Sequence, residues 1–158
     1  MTASDIINIF LLVVTVVAAF AAFRQIYISN RHKRADLILQ LYTDFSDDKD
    51  MQDIYYLMEY QQFVYSKTTF HMSENERKLD KLLGLFSNIG QLYQMGIIKD
   101  TDLEFIKYEF QVIYETDGVH EYFKFLDEYF QRRGINHIQF KPFREIGQKI
   151  TSENYKKT

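Results

Sequence analysis

The chain has 158 residues, which is enough for one ordinary domain and too few for two cores of normal size. It contains no cysteine, which excludes disulfide bonds, thiolate nucleophiles and cysteine-based metal sites. Its 19 basic and 22 acidic side chains give a net charge of −3, which argues against a dedicated nucleic-acid binder with a strongly basic surface.

The first predicted element is an uncharged apolar run from Ile6 to Phe23, in which Asn8 and Thr15 are the polar residues. As a helix that rises about 1.5 Å per residue, this run covers about 27 Å, close to the thickness of the hydrocarbon core of a bilayer. The run therefore predicts that residues 1–23 form a transmembrane helix with a short external N-terminus.

The charges on the two sides of this run predict its orientation. Asp5 precedes it, whereas four basic residues follow it: Arg24, Arg31, Lys33 and Arg34. Because basic residues stay on the cytoplasmic side, we expect a bacterial inner-membrane protein with its N-terminus outside and most of the chain in the cytoplasm. The four basic residues are expected to contact anionic lipid headgroups.

Two alternatives to a retained anchor are a cleaved signal peptide and a buried helix of a soluble protein. Ala19-Phe20-Ala21 offers a small-x-small cleavage site. However, no Lys or Arg precedes the run, and the basic residues after it would resist translocation. No polar residue recurs at helical period, as it would in a helix with one solvated face. The sequence therefore favours the anchor.

Small and polar residues share one face of the predicted span. Asn8, Thr15 and Ala22 are seven apart, and Ala19 lies four after Thr15. Small residues let helices approach closely in lipid, and polar groups there can form hydrogen bonds between helices. This face predicts a homo-oligomer in contact with membrane lipid. The polar members could equally line a narrow pore, and such residues are also common in spans without either role.

The rest of the chain predicts a basic collar and helical stalk over residues 24–43, a cytosolic bundle of about five helices over 44–150, and a polar tail over 151–158. Apolar residues recur at helical spacing, and no run alternates long enough to predict a strand. We therefore expect an all-α protein. The bundle helices are expected from Ser46 to about Tyr65, Ser73 to about Gly96, Asp100 to about Glu115, Val119 to about Arg133, and Pro142 to about Ile150. Ser46 is the expected N-cap of the first of them. Ser73 and Glu76 form an expected capping box at the start of the second, whose apolar face carries Leu79, Leu82, Leu83 and Phe86.

Aromatic side chains are too frequent for one buried face of each helix. Tyr56, Tyr60 and Phe125 fall off the predicted core faces. We expect them to need a second surface, in another protomer or a ligand.

Arg132 and His137 form the one candidate catalytic pair. Their spacing fits the Arg-x4-6-His motif of HEPN-type ribonucleases, in which His would act on the ribose hydroxyl or leaving group and Arg would hold the phosphate. The alternative is that Arg132 caps carbonyl groups before Gly134. No two histidines have metal-ligand spacing, so neither a metal nor another cofactor is expected.

The segment from Leu82 to Asp100 resembles a stretch of a large family of bacterial and phage proteins that have one N-terminal span and a cytosolic helical domain. It reads Leu-Leu-Gly-Leu-Phe-Ser-Asn-Ile-Gly-Gln-Leu-Tyr-Gln-Met-Gly-Ile-Ile-Lys-Asp. This resemblance implies the topology and no particular activity.

The chain also resembles, more narrowly, the small membrane accessory proteins of type VI-B CRISPR systems, with Arg132 and His137 as the matching positions. That resemblance implies a pore-forming membrane oligomer that strengthens RNA-guided antiphage defence, with an RNA-guided nuclease as partner. Taken together, the sequence predicts a self-associating, non-enzymatic membrane accessory or effector. The alternatives are a membrane-tethered HEPN-like ribonuclease acting on RNA, and a membrane scaffold for a soluble partner.

Overall fold

The structure, a computed structural model, describes residues 3–155, except for the side chains at positions 3, 5, 6, 9 and 153–155. Within these residues the chain forms seven helices and no strands, which confirms the all-α class. The helices are α1 (Ala3–Asp47), α2 (Lys49–Glu59), α3 (Glu74–Gln94), α4 (Asp100–Leu103), α5 (Lys107–Glu115), α6 (Asp117–Arg132) and α7 (Lys141–Tyr155). Three parts of the sequence predictions lie outside the described residues. These are positions 1–2 of the external N-terminus, the Asp5 side chain, and positions 156–158 of the tail.

The chain divides into two compact units. The first extends to Leu37 and the second begins at Ile38, so the division falls inside the predicted stalk of residues 24–43. The last ten residues of α1, 38–47, belong to the second unit.

Helix α2 begins two residues later than predicted. Its N-cap is Asp48, whose carboxylate accepts a hydrogen bond from the Met51 N–H at 3.1 Å. Ser46, the predicted cap, lies in the last turn of α1, where its hydroxyl is 3.3 Å from the Thr43 carbonyl. Asp and Ser are equally good N-caps, so the sequence does not decide between two candidates this close together.

Helix α2 also ends at Glu59 instead of about Tyr65. Gln61 takes a positive φ of 56°, and the N–H groups of Gln62 and Phe63 both donate to the carbonyl of Leu57. These bonds close the helix end in the way that glycine usually does. The prediction was wrong because a glutamine in this conformation leaves no mark in the sequence.

Helix α3 packs against both α2 and α7 and lies at the centre of the second unit. Ser73 caps it as predicted, since its hydroxyl accepts from the Glu76 N–H at 3.2 Å. At Gly90 a methyl group would lie only 2.9 Å from the carbonyl carbon and oxygen of Pro142, so glycine is needed for this close approach of α7. The largest completely buried side chains around α3 are Phe86, Phe110, Tyr122 and Phe143.

The predicted fourth helix is two helices, α4 and α5. The N–H of Ile106 donates to the carbonyl of Leu103 at 3.0 Å and closes a tight turn between them. Neither glycine nor proline marks this break in the sequence. Helix α7 continues past the expected end at about Ile150 to Tyr155, the last residue that the structure describes. Pro142 lies in its first turn, where a missing N–H costs nothing.

Ion pairs link the exposed edges of α2 and α3. Lys81 lies 2.5 Å from Asp48, Arg77 lies 3.0 Å from Asp50, and Lys78 lies 2.9 Å from Asp53. The hydrogen bond from Lys81 lowers the pKa of Asp48, and the one from Arg77 lowers that of Asp50. The two helices are therefore joined by a buried apolar seam and by charges along its border.

Candidate functional site

The predicted packing face of α1 is exposed along its whole length. Asn8, Thr15, Ala19 and Ala22 are all exposed within the described chain. The Thr15 hydroxyl donates to the Leu11 carbonyl at 2.8 Å, so its hydrogen bond is made within its own helix. Thr15 therefore needs no polar partner on a second helix, and close packing would depend on the small side chains.

The apolar residues around this face are exposed as well. Within residues 3–155, α1 is the one helix long and apolar enough to cross a membrane by length and composition. None of its most apolar window is buried. The exposed large side chains include Phe10, Leu12, Val17, Phe20 and Phe23.

The basic residues that follow are mostly open to solvent. Arg24, Arg31 and Lys33 are exposed, and Arg34 is half-buried. Exposed cations on flexible side chains can contact anionic headgroups without rearrangement of the helix.

Arg132 and His137 lie on either side of the C-terminal end of α6, and each has its own partner. The Nε–H group of Arg132 donates to the Glu128 carbonyl at 3.2 Å. The Nε2 atom of His137 lies 2.8 Å from the side-chain oxygen of Gln139, and its ring packs edge-on against Phe130. Within residues 3–155 no hydrogen bond or ring contact joins Arg132 to His137.

His137 lines an open groove of about 640 Å³ between α3 and the segment that leads into α7. We call it the amide groove, because four of its lining residues are carboxamides: Asn88, Gln91, Asn136 and Gln139. Ser87 and Lys141 also line it, and none of the lining residues is acidic. The sequence predicted His137 as a site residue but did not indicate these neighbours from α3.

The segment from Leu82 to Asp100, which carries the family resemblance, has clear structural roles. Gly96 has a positive φ of 72°, and the Ile97 N–H donates to the Leu92 carbonyl, so this glycine ends α3. Asp100 accepts from the Tyr93 hydroxyl at 2.7 Å and from Lys149 of α7 at 2.7 Å. These residues fix how α3, α4 and α7 meet.

A second polar cluster, missed in the sequence, surrounds His71. Its Nδ1 lies 2.9 Å from a carboxylate oxygen of Glu76, and its Nε2 lies 3.0 Å from the Tyr65 hydroxyl. The Tyr122 hydroxyl donates to Asp80 at 2.8 Å. Glu76 also accepts from the Met72 N–H at 2.6 Å rather than folding back to Ser73, so the predicted capping box is half formed.

The electrostatics of this cluster keep its hydroxyl groups protonated. Burial raises the pKa of Tyr65 and Tyr122, and the hydrogen bond to Asp80 raises that of Tyr122 further. Burial also raises the pKa of Asp80, against the opposite effect of the Tyr122 hydrogen bond. His71 joins the loop after α2 to Glu76 of α3, and Tyr122 joins α6 to Asp80 of α3. The cluster therefore ties this loop, α3 and α6 together.

The three aromatic residues expected to need a second surface have different environments. Phe125 is half-buried and stacks on the His71 ring with centroids 3.7 Å apart, so the prediction for this residue was wrong. Tyr56 and Tyr60 are exposed and stack on each other with centroids 6.2 Å apart. These two tyrosines remain candidates for contact with another molecule.

No three His, Asp or Glu side chains of the described chain come together in a way that could hold a metal ion. Comparison of the chain with models of protein families, with curated proteins and with solved structures gave no match.

Proposed function

We propose that the protein is a single-span membrane protein that self-associates through α1 and acts as a non-enzymatic accessory or effector. The observation that carries this proposal is the exposure of the apolar surface of α1, of which Phe20 is 73% and Phe23 is 74% exposed. Exposure of so large an apolar surface to water is unfavourable, whereas the core of a bilayer or a second copy of the chain would cover it.

The same proposal places the N-terminus outside the cell and the second unit in the cytoplasm. Its support is the charge pattern, because exposed Arg24, Arg31 and Lys33 follow the apolar segment. Residues 35–158 hold 15 basic and 21 acidic groups, so this acidic part would be repelled by anionic lipids.

Self-association would use the face of Asn8, Thr15, Ala19 and Ala22. The small residues allow close approach of two helices, and exposed Asn8 is the polar group best suited to bond across the contact or to face a pore. A pore and a role in antiphage defence enter this proposal from the family resemblance.

A second candidate function is an RNA-cleaving enzyme that uses Arg132 and His137. It is favoured by the place of His137 in an open groove. Arg132 argues against this function, because its Nε–H group is bonded to the Glu128 carbonyl of its own helix. Cleavage of a single-stranded RNA that is lost in both Arg132→Ala and His137→Ala would establish this function instead.

The absence of cysteine makes topology directly testable. We expect Ser4→Cys to react with a membrane-impermeant maleimide on intact spheroplasts, and Ser152→Cys to react only after the membrane is opened. The opposite pattern would overturn the orientation. Extraction of the chain by alkaline carbonate would overturn the membrane anchor itself.

Assembly is tested with two neighbouring alanines of α1. Ala22 lies on the proposed contact face, and Ala21 lies off that face, because successive residues turn by about 100° around the helix axis. We expect Ala22→Leu to lower the oligomer mass measured by light scattering in detergent, and Ala21→Leu to leave it unchanged. A wild-type monomer at every concentration would exclude both the oligomer and the pore.

A further inference from the structure

The amide groove has the properties of a binding site that neither the membrane anchor nor the candidate nuclease pair explains. Its wall on α3 is a stripe at helical spacing, formed by Gly84, Ser87, Asn88 and Gln91. Gly84 has no atom of another part of the chain within 4 Å of where a side chain would begin, so the groove is open at that end.

The polar groups of this groove are available for a ligand. The side chains of Ser87, Asn88, Gln91 and Asn136 make no hydrogen bond to another residue of the described chain. On the opposite wall, residues 135–138 form neither helix nor strand, and the His137 N–H donates to the Ile135 carbonyl at 3.0 Å in a tight turn. Within residues 3–155 the backbone N–H groups of Asn136 and Ile138 donate to no other backbone group. Carboxamides and free backbone groups together offer both donors and acceptors.

The dimensions of the groove match a short extended peptide. From Gly84 to Gln91 the α3 stripe rises about 10 Å. Three residues of extended chain cover about the same length. Ile135 and Ile138 are 46% and 48% exposed beside the groove, and they offer apolar contacts to the side chains of such a peptide.

The lining is unsuited to RNA. Lys141 is the one cation among the lining residues, and its ammonium lies 3.6 Å from Glu145. Phe140 is the one aromatic ring of the lining apart from the imidazole of His137, and it is buried, so no platform for base stacking is present. A peptide backbone needs neither cations nor aromatic stacking, and paired amide groups satisfy it directly.

We propose that the amide groove binds an extended, non-acidic segment of a soluble partner protein. Asn88 and Gln91 donate to and accept from the peptide groups of that segment, and the backbone N–H groups of Asn136 and Ile138 donate to its carbonyl groups. The excess of acidic residues outside the groove disfavours acidic segments. This inference is independent of whether α1 lies in lipid.

The test uses the full chain in detergent micelles as bait for a displayed library of random 12-residue peptides. We expect enriched sequences that contain few Asp and Glu. The best of them, made as a synthetic peptide, should bind at least tenfold more weakly to the double variant Asn88→Ala/Gln91→Ala. Methylation of the peptide's backbone nitrogens should weaken binding to a similar extent, because those groups would pair with the groove.

The matched control is Asn75→Ala/Gln131→Ala, which removes two exposed carboxamides outside the groove. It should bind the peptide like the wild type, and circular dichroism should show both double variants folded. The proposal is overturned if no peptide is enriched, if both variants lose binding equally, or if backbone methylation has no effect. Binding of a poly(U) oligonucleotide that is lost in Asn88→Ala/Gln91→Ala would assign the groove to RNA instead.

Discussion

The same residue types meet opposite environments in the two units of the chain. In the first unit Phe20 and Phe23 are almost three-quarters exposed, whereas in the second unit Phe86 and Phe110 are completely buried and pack edge-on at 4.8 Å. The second unit supplies its own apolar environment from several helices. The first unit is a single helix and cannot supply such an environment by itself.

This difference separates stability from association. Burial in the second unit contributes to its own folding free energy, at roughly 1.5–3 kcal/mol for each large apolar side chain. The apolar side chains of the first unit contribute to that free energy only if something covers them. Their energetic effect should therefore be seen in insertion or oligomer measurements.

The largest expected effect is that of Phe86→Ala, compared with Phe20→Ala. Loss of a fully buried phenylalanine leaves a cavity and should destabilise the second unit by about 3–5 kcal/mol. Phe20→Ala should leave that stability unchanged. The measurement is urea unfolding of the full chain in detergent micelles, followed by the tyrosine signal.

A large loss of stability in Phe20→Ala would mean that α1 packs on protein rather than lipid, and would erase the contrast between the two units. A small loss in Phe86→Ala would mean that the core around α3 can close over a missing ring.

Periodicity in the sequence was enough to predict the helices and most of the core. The apolar spacing of α3 placed Leu79, Leu82, Leu83 and Phe86 on one face, and all four are completely buried. The helix ends were predicted less well, because they depend on single backbone conformations. Gln61 ends α2 in a conformation that is typical of glycine, and no residue type marks the break before α5.

The site was predicted only in part, because its residues are far apart in the sequence. His137 was recognised from its spacing to Arg132, yet the neighbours it meets in the groove, Ser87, Asn88 and Gln91, lie some fifty positions earlier. Only the close approach of α7 to α3 at Gly90 brings them together. Glu76 was assigned to a capping box from its spacing, and the folded loop gives it Met72 and His71 instead.

An intermediate effect is expected at the border of the second unit, where Asp48 both caps α2 and pairs with Lys81. Asp48→Ala removes both interactions and should cost about 1–2 kcal/mol, whereas Asp48→Asn keeps a capping oxygen and should cost less. The cost of Asp48→Asn relative to the wild type should shrink in 1 M salt, because salt screens the ion pair that the wild-type carboxylate makes with Lys81. Thermal unfolding at two salt concentrations measures it.

The acid dependence of Asp48 has a defined sign. The bond from Lys81 lowers its pKa below the ordinary 3.8. Its stabilising effect is therefore present above the ordinary pKa of 3.8 and is lost as the pH falls through the lowered pKa of the folded state. A wild-type stability that equals that of Asp48→Asn at neutral pH and low salt would show that the ion pair between Asp48 and Lys81 contributes nothing to stability.

The smallest effect concerns Glu109, a half-buried carboxylate of α5. Burial raises its pKa above the ordinary 4.5, and the charge of Glu59 raises it further. A raised carboxylate pKa means that the ionised form destabilises the fold at neutral pH and that protonation removes this cost. Glu109→Gln should therefore stabilise the second unit slightly at pH 7. The gain over the wild type should vanish as the pH falls toward 4.5.

Glu121→Gln, a change of the same charge at an exposed position of α6, controls for net charge. An equal gain in both variants would mean that general repulsion among the excess acidic groups, rather than the burial of Glu109, limits the stability of the second unit.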